Sequence, residues 1–231
     1  MSVKTYSKRI DGESQLSKNF KVKEMASKDG SDIILVDEEL VSVLQKIRDW
    51  AQLSVSINSG YRTVTHNAKV GGSPTSKHIE GKAADIVVSG KTPLQVAQFA
   101  EALNIGGIGH APSGQGNFCH IDTRPNKSRW EYYNGGKSQR VLQTFGGKTF
   151  KDQVQIATGI DNNTVAYLNT YQWATALWEK LAVSISQKGR KGATSDDIVK
   201  DGAKLEEATM SFLRAYKYGR ELIDKLAKAM T

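Results

Sequence analysis

Between Val36 and Leu53 apolar residues fall at Leu40, Val43, Leu44, Ile47, Trp50 and Ala51, the spacing of one helical face, with Asp37 ahead of it as N-cap or first-turn acid. Thr92 and Pro93 open a second helix reaching to about Leu103, because proline suits a first turn and the threonine hydroxyl caps it. Ser54–Asn58, Ala83–Val88 and Asn117–Thr123 are short runs of strand length and predict strands. Helices around a few short strands predict an α+β domain with a small antiparallel sheet. The loops Gly71–Ser76 and Ala111–Gly116 are expected to form the sides of a cleft.

Past Trp130 the pattern changes. NGGKSQ and FGGK, within residues 134–148, carry turn-forming residues and predict a linker over 137–157. Beyond it Asp161–Ala182 aligns without gaps on Glu206–Ala227, an offset of 45 residues. Thr164 falls on Thr209, Leu168 on Leu213, Tyr171 on Tyr216 and Leu177 on Leu222, while aromatic character persists at Tyr167/Phe212 and Trp173/Tyr218. Each copy reads as two short helices bent near its aromatic pair. Two copies burying their stripes against each other give a small all-α unit with pseudo-twofold symmetry, joined by Ser186–Asp197. The expected organisation is a first domain over 1–136, a linker over 137–157 and a helical domain over 158–231 built from repeats 161–182 and 206–227.

Candidate chemistry gathers in SKHIEGKAAD (Ser76–Asp85) and FCHID (Phe118–Asp122). Strand alternation puts Ala83, Asp85 and Val87 on one face, and Phe118, His120 and Asp122 on another single face with Cys119 and Ile121 behind. The alanines beside Asp85 leave room for a metal, and Gly81 lets the chain turn between the His78 loop and the strand. Zinc takes imidazole nitrogen and carboxylate oxygen, and a catalytic site keeps three protein ligands with a fourth position for water. His78, Asp85 and His120 meet that requirement without the helical HExxH arrangement. The single cysteine, Cys119, excludes an internal disulfide. Its place on the face opposite His120 disfavours a thiolate–imidazole pair.

These segments belong to a longer ordered series: LSKNF from Leu16, SGYR (Ser59–Arg62), HNAKVGG (His66–Gly72), SKHIEGKAADI, GGIG (Gly106–Gly109) and FCHIDTR up to Arg124. From about Leu16 to Trp130 the series resembles the zinc D-Ala-D-Ala carboxypeptidases and L-Ala-D-Glu endopeptidases that cut peptidoglycan stem peptides, many phage endolysins among them. The resemblance implies Zn2+ held by His78, Asp85 and His120, Arg62 on the substrate carboxylate or the polarised carbonyl, and Ser76 lining the same pocket. It implies amide hydrolysis, in which zinc lowers the pKa of bound water toward about 7. Some members carry an acid three positions before the last histidine, where this chain has Asn117. Asp122 is therefore read as the general base, or as the carboxylate that orients a ligating ring through its other nitrogen; both roles stay open. His110, following GGIG, is a candidate for substrate binding or oxyanion stabilisation. The alternative for the whole chain is a catalytically weak or inactive wall-binding or phage-particle module, which the missing acid at Asn117 favours.

Charge changes this picture little. The net charge of +8 is spread, with fifteen Lys and Arg against ten Asp and Glu over 137–231 and seventeen against fourteen over 1–136. Without a basic helix or an aromatic RNA-binding signature, nucleic acid is excluded as the partner, and anionic wall polymers or a merely solvated surface account for the excess. No apolar run approaches the roughly 20 residues that span a bilayer, and MSVKTYSKRIDGES lacks the apolar stretch of a secretory signal. The expected localisation is synthesis in the cytoplasm and release to the wall by phage lysis machinery. For the C-terminal repeat three readings stand: Trp173, Trp178, Tyr216 and Tyr218 stack on wall sugars, the amphipathic helices make a homo-oligomer, or the aromatics are the core of a small bundle.

Overall fold

The chain opens with a two-stranded antiparallel ribbon. β1 (Val3–Ser7) is followed by α1 (Lys8–Asp11) and a 3-10 turn at Val22–Met25, and β2 (Ile33–Asp37) returns with Asp37 opposite Val3. This computed structural model describes residues 2–133, 137–140 and 144–231, which divide into two units, 1–147 and 148–231.

Asp37 ends β2 and caps α2 (Glu38–Ala51), accepting from the Glu39 N–H at 3.3 Å. The face of α2 bearing Leu40, Leu44, Ile47 and Ala51 is buried, as its spacing requires. β3 (Val55–Ser59), α3 (Val64–Lys69) and β4 (Ala83–Val88) follow. α4 (Pro93–Ala102) starts in a reciprocal capping box between Thr92 and Gln95. Then come β5 (Gly107–Ala111), β6 (Phe118–Asp122), β7 (Ser128–Tyr133) and β8 (Lys137–Arg140).

β3 to β8 form one sheet in the order β3-β4-β6-β5-β7-β8, antiparallel throughout except for the β5–β7 pair. The α+β class is as expected, with the small antiparallel ribbon β1–β2 joined by this larger mixed sheet. β6 runs back to the Gly107 end of β5, so the short connection 123–127 lays β7 on the free edge of β5 in the same direction. α2 and α4 cover one face, where Leu44, Ile47 and Phe99 meet the row Ala84, Ile86, Ile108, Cys119 and Ile121, all buried. Each large aliphatic side chain buried there contributes ~1.5–3 kcal/mol relative to exposure. The opposite face is left for the site.

The second unit holds α5 (Phe150–Thr158), α6 (Asn162–Asn169), α7 (Ala174–Gln187), α8 (Ser195–Gly202), α9 (Glu207–Ala215) and α10 (Gly219–Met230). The 45-residue offset extends further upstream than the sequence reading placed it. Thr149 and Asp152 form a capping box at α5, and Thr194 and Asp197 form its counterpart at α8. Val154 and Val199 are both fully buried, and Gly159 and Lys204 both take left-handed backbone, at φ 65° and 51°. Each copy is thus three helices. The segment 137–157 is not a linker, since it contains β8 and α5; residues 134–136 and 141–143 lie outside those described. The connection between copies also shrinks, because α7 runs to Gln187 and α8 begins at Ser195.

The copies meet reciprocally, as a twofold axis demands. Tyr167 stacks on Phe212 with centroids 4.6 Å apart, and Tyr171 and Tyr216 extend the column at its two ends, 4.6 and 4.5 Å further on. The Thr164 hydroxyl lies 3.2 Å from that of Tyr216, and the Thr209 hydroxyl 2.9 Å from that of Tyr171. Of the four aromatics read as sugar-stacking candidates, Trp178 is buried and donates to Asn169 at 2.8 Å, Tyr216 is half-buried in the column, and Trp173 and Tyr218 are exposed. Among the described residues no helix is long and apolar enough to cross a membrane.

Candidate active site

Strand register assembles the site. Asp85 on β4 lies opposite His120 on β6, and Ala83 opposite Asp122. Across β5, Gly109 faces His120 and Gly107 faces Asp122, while Trp130 on β7 lies beside Gly109. A Cβ on Gly107 would come within 2.1 Å of the Asp122 carboxylate, and one on Gly109 within 2.6 Å of the Trp130 ring. The glycines of GGIG are therefore there for space: they admit an acid and an indole to the crowded face of the sheet. His78 arrives from the loop before β4. Its carbonyl accepts from the Arg62 N–H at 3.1 Å and from the Gly81 N–H at 3.2 Å, and Gly81 turns the chain at φ 70°.

Three donor atoms converge. His78 Nε2 lies 3.2 Å from His120 Nδ1 and 3.4 Å from Asp85 Oδ1, and His120 Nδ1 lies 2.8 Å from the same oxygen. Ligands held ~2.0–2.1 Å from a tetrahedral zinc sit about 3.3 Å from one another, so the triangle fits that ion. Each imidazole is fixed from outside. His78 Nδ1 donates to the Gly60 carbonyl at 2.7 Å, which leaves Nε2 with its lone pair toward Asp85. His120 Nε2 lies 3.0 Å from Asp122 Oδ2, which leaves Nδ1 facing inward. An oxygen acceptor behind each ring is the support that metal-ligating histidines require.

The electrostatics follow from burial and these partners. Burial lowers the His78 pKa, which keeps its ring neutral. Burial also acts against a charged His120, but its hydrogen bonds to Asp122 and Asp85 outweigh it and raise that pKa. For Asp122 burial opposes ionisation, yet His120 and Arg124 together hold it well below the usual carboxylate range. Asp85 is held low in the same way, against burial, by its two imidazole neighbours, His78 and His120.

Arg62 and Ser76 line the open cleft of about 580 Å³ around the triad. Arg62 Nη2 donates to Asp85 Oδ2 at 2.6 Å and Nε to the Ser59 hydroxyl at 2.8 Å, so it braces the triad from the substrate side. Ser73, Thr75 and Ser76 form one side of the cleft, as expected of that loop. Of the loop 111–116 only Gln115 lines it; the other side comes from β7 and β8, through Trp130, Tyr132 and Ser138.

One assignment needs correction. His110 pairs with Cys119, one step out of register with His120, so it points to the other face of the sheet, where its Nδ1 lies 3.4 Å from Glu131. It does not line the cleft. Asp122 is fully buried and also lies outside the cleft lining. Arg124 grips it, with Nε 2.7 Å from Oδ1 and Nη2 2.6 Å from Oδ2, and His120 takes the remaining approach. Those partners place it to orient the His120 ring, the second of the two roles open in the sequence. Asn117 is exposed at φ 53°, a left-handed position that asparagine tolerates, and supplies nothing to the cleft. Cys119 is buried on the face opposite His120, and burial pushes its thiol up.

Trp130, Tyr132 and Arg124 were not singled out in the sequence. Trp130 lies 4.9 Å from the His120 ring and Arg124 sits 5.1 Å over the indole. The alternation Ser128, Trp130, Tyr132 within SRWEYY was the available signal for a strand turning these side chains to one face.

Two imidazoles and one carboxylate converging in a cleft define a site with the donor set of a metallohydrolase. Residues 16–122 match the profile of the family described as Peptidase M15. A stretch of 76 residues is 37% identical to the probable peptidoglycan L,D-endopeptidase MepK of Haemophilus influenzae, covering 31% of this chain and 40% of that protein. The chain thus spans less than half the length of this relative.

Proposed function

We propose that the chain is a zinc-dependent peptidase that hydrolyses amide bonds within the stem peptides of bacterial peptidoglycan. The observation that carries this reading is the pair of histidines, each tethered on its outer nitrogen and each presenting its inner nitrogen to Asp85. His78 Nε2, His120 Nδ1 and Asp85 Oδ1 would hold the ion, which supplies an acidified water and polarises the scissile carbonyl. Arg62 holds Asp85 in orientation through Nη2, and with its remaining N–H groups at the cleft it positions a peptide carboxylate or carbonyl. Asp122, clamped by Arg124, holds His120 in the one tautomer that can bind metal. Similarity to the Haemophilus protein named as a probable peptidoglycan L,D-endopeptidase supports an internal cut of the L,D type over release of terminal D-Ala.

The test is mass spectrometry of defined soluble stem peptides incubated with the zinc-loaded chain. Internal fragments are expected, whereas release of terminal D-Ala alone would reassign it as a carboxypeptidase. No cleavage of either kind would favour an inactive wall-binding module.

A further inference from the structure

The helical unit carries two grooves that the 45-residue repeat maps onto each other. In one, of about 380 Å³, Trp173, Leu177 and Lys180 of the first copy face Leu205, Glu206 and Thr209 of the second. In the other, of about 260 Å³, Tyr218, Leu222 and Lys225 of the second copy face Ile160, Asp161 and Thr164 of the first. Every one of these residues is matched by its partner 45 positions away. Each groove therefore has an aromatic at its lip, a leucine beneath it, and a lysine and an acid from opposite copies.

The two lip aromatics stand apart from the rest. Tyr167, Tyr171, Phe212 and Tyr216 are used up in the central column, but Trp173 is 63% and Tyr218 51% exposed. The Trp173 indole has no ring, cation or hydrogen-bond partner among the described residues, although its backbone carbonyl accepts from the Leu177 N–H. Tyr218 has Lys217 Nζ 5.1 Å from its centroid and Tyr216 in a T-shaped contact at 5.8 Å, and half of it still faces solvent. A solvent-facing indole at the lip of a groove with a leucine beneath it is an apolar patch that an external partner can cover.

Charge selects the partner. The chain carries +8, yet the first groove balances Lys180 against Glu206, and the second sets Lys225 against Asp161 and Glu221. Grooves without an excess of positive charge do not suit a polyanion. An aromatic face rimmed by both donors and acceptors suits a neutral ring bearing hydroxyl and amide groups. Two equivalent sites suit a polymer that presents that ring repeatedly.

We infer that the helical unit binds a β-1,4-linked N-acetylhexosamine chain, one sugar ring stacked on Trp173 and another on Tyr218. The natural source is the glycan strand of peptidoglycan, a step that rests on the proposed function. The groove chemistry itself does not depend on it.

The experiment is calorimetric titration of the full chain with hexa-N-acetylchitohexaose, in chelator, alongside co-sedimentation with peptide-stripped glycan strands. Saturable binding is expected, weakened about tenfold by Trp173→Ala, less by Tyr218→Ala, and abolished by the double variant. The exchange variants Trp173→Tyr and Tyr218→Trp, which place each copy's residue in the other, should keep binding. Absence of binding by the full chain, or equal binding by the double variant, overturns the inference. So does a dimer that the double variant dissociates without any sugar bound, since that makes the lips a protein interface. Chelation removes cleavage from the readout, so a failed peptidase reading and a failed glycan site give different results.

Discussion

His120 Nε2 lies 3.0 Å from Asp122 Oδ2, on the far side of the imidazole from Asp85, and the same carboxylate is held by Arg124 through two nitrogens. The histidine can therefore turn only one nitrogen inward, and Asp122 has no oxygen left to direct at the cleft.

This arrangement separates two roles for Asp122. If it orients His120, Asp122→Ala should weaken zinc binding by about 10- to 100-fold, with turnover recovered in part at excess zinc. Competition against a fluorescent chelator measures this. Undiminished zinc affinity with lost turnover would restore Asp122 as the proton acceptor.

The His120–Asp122 pair also sets a pH dependence of stability in the metal-free protein. Asp122 is held below the ordinary carboxylate value of ~3.9, so its contribution is complete above that pH and is lost as pH falls through the folded value. His120 is raised above the ordinary ~6.5, so its contribution is complete below that pH and is lost as pH rises through the folded value. The Tm gap between the natural chain and Asp122→Asn should be widest between about pH 4 and 6.5 and should narrow on both sides. A gap that widens steadily with acid would contradict the pairing.

Gly109→Ala puts a methyl group 2.6 Å from the Trp130 ring and 3.0 Å from the His120 Cβ. Both neighbours are held by the sheet, so the substitution should cost about 1–3 kcal/mol in denaturant unfolding of the N-terminal unit. A neutral effect would mean that Trp130 is free to move.

In the helical unit the matched capping boxes give a paired prediction. Thr149→Ala and Thr194→Ala should each cost ~1 kcal/mol, and similar amounts, because each removes the same cap from equivalent helices. Thermal melts of the two variants check this, and a change confined to one would break the equivalence of the copies.

The triad was legible because strand alternation alone puts Asp85 and His120 on definite faces, and the spaced motifs placed His78 beside them. The same rule misplaced nothing on β4 or β6. What it could not supply was the neighbour order of the strands. His110 looked suited to the cleft until the register set Gly109, not His110, opposite His120. The role of Asp122 depended on Arg124, two residues further on, whose side chain folds back in a way no periodicity encodes. The linker was misread because β8 and α5 are short and polar: α5 buries only Phe150 and Val154, too few apolar positions to stand out beside the glycines of FGGK. The parallel β5–β7 pair likewise arises from a five-residue connection after β6 and leaves no trace in composition.

The most direct test of the central claim is zinc content measured together with chelator-sensitive cleavage, on purified peptidoglycan, for the natural chain and His78→Ala. The account predicts one zinc per natural chain and stem-peptide fragments that vanish on chelation. It also predicts that His78→Ala retains little zinc after dialysis and turns over at least about a thousandfold more slowly. Cleavage that survives both chelation and loss of His78 would contradict it.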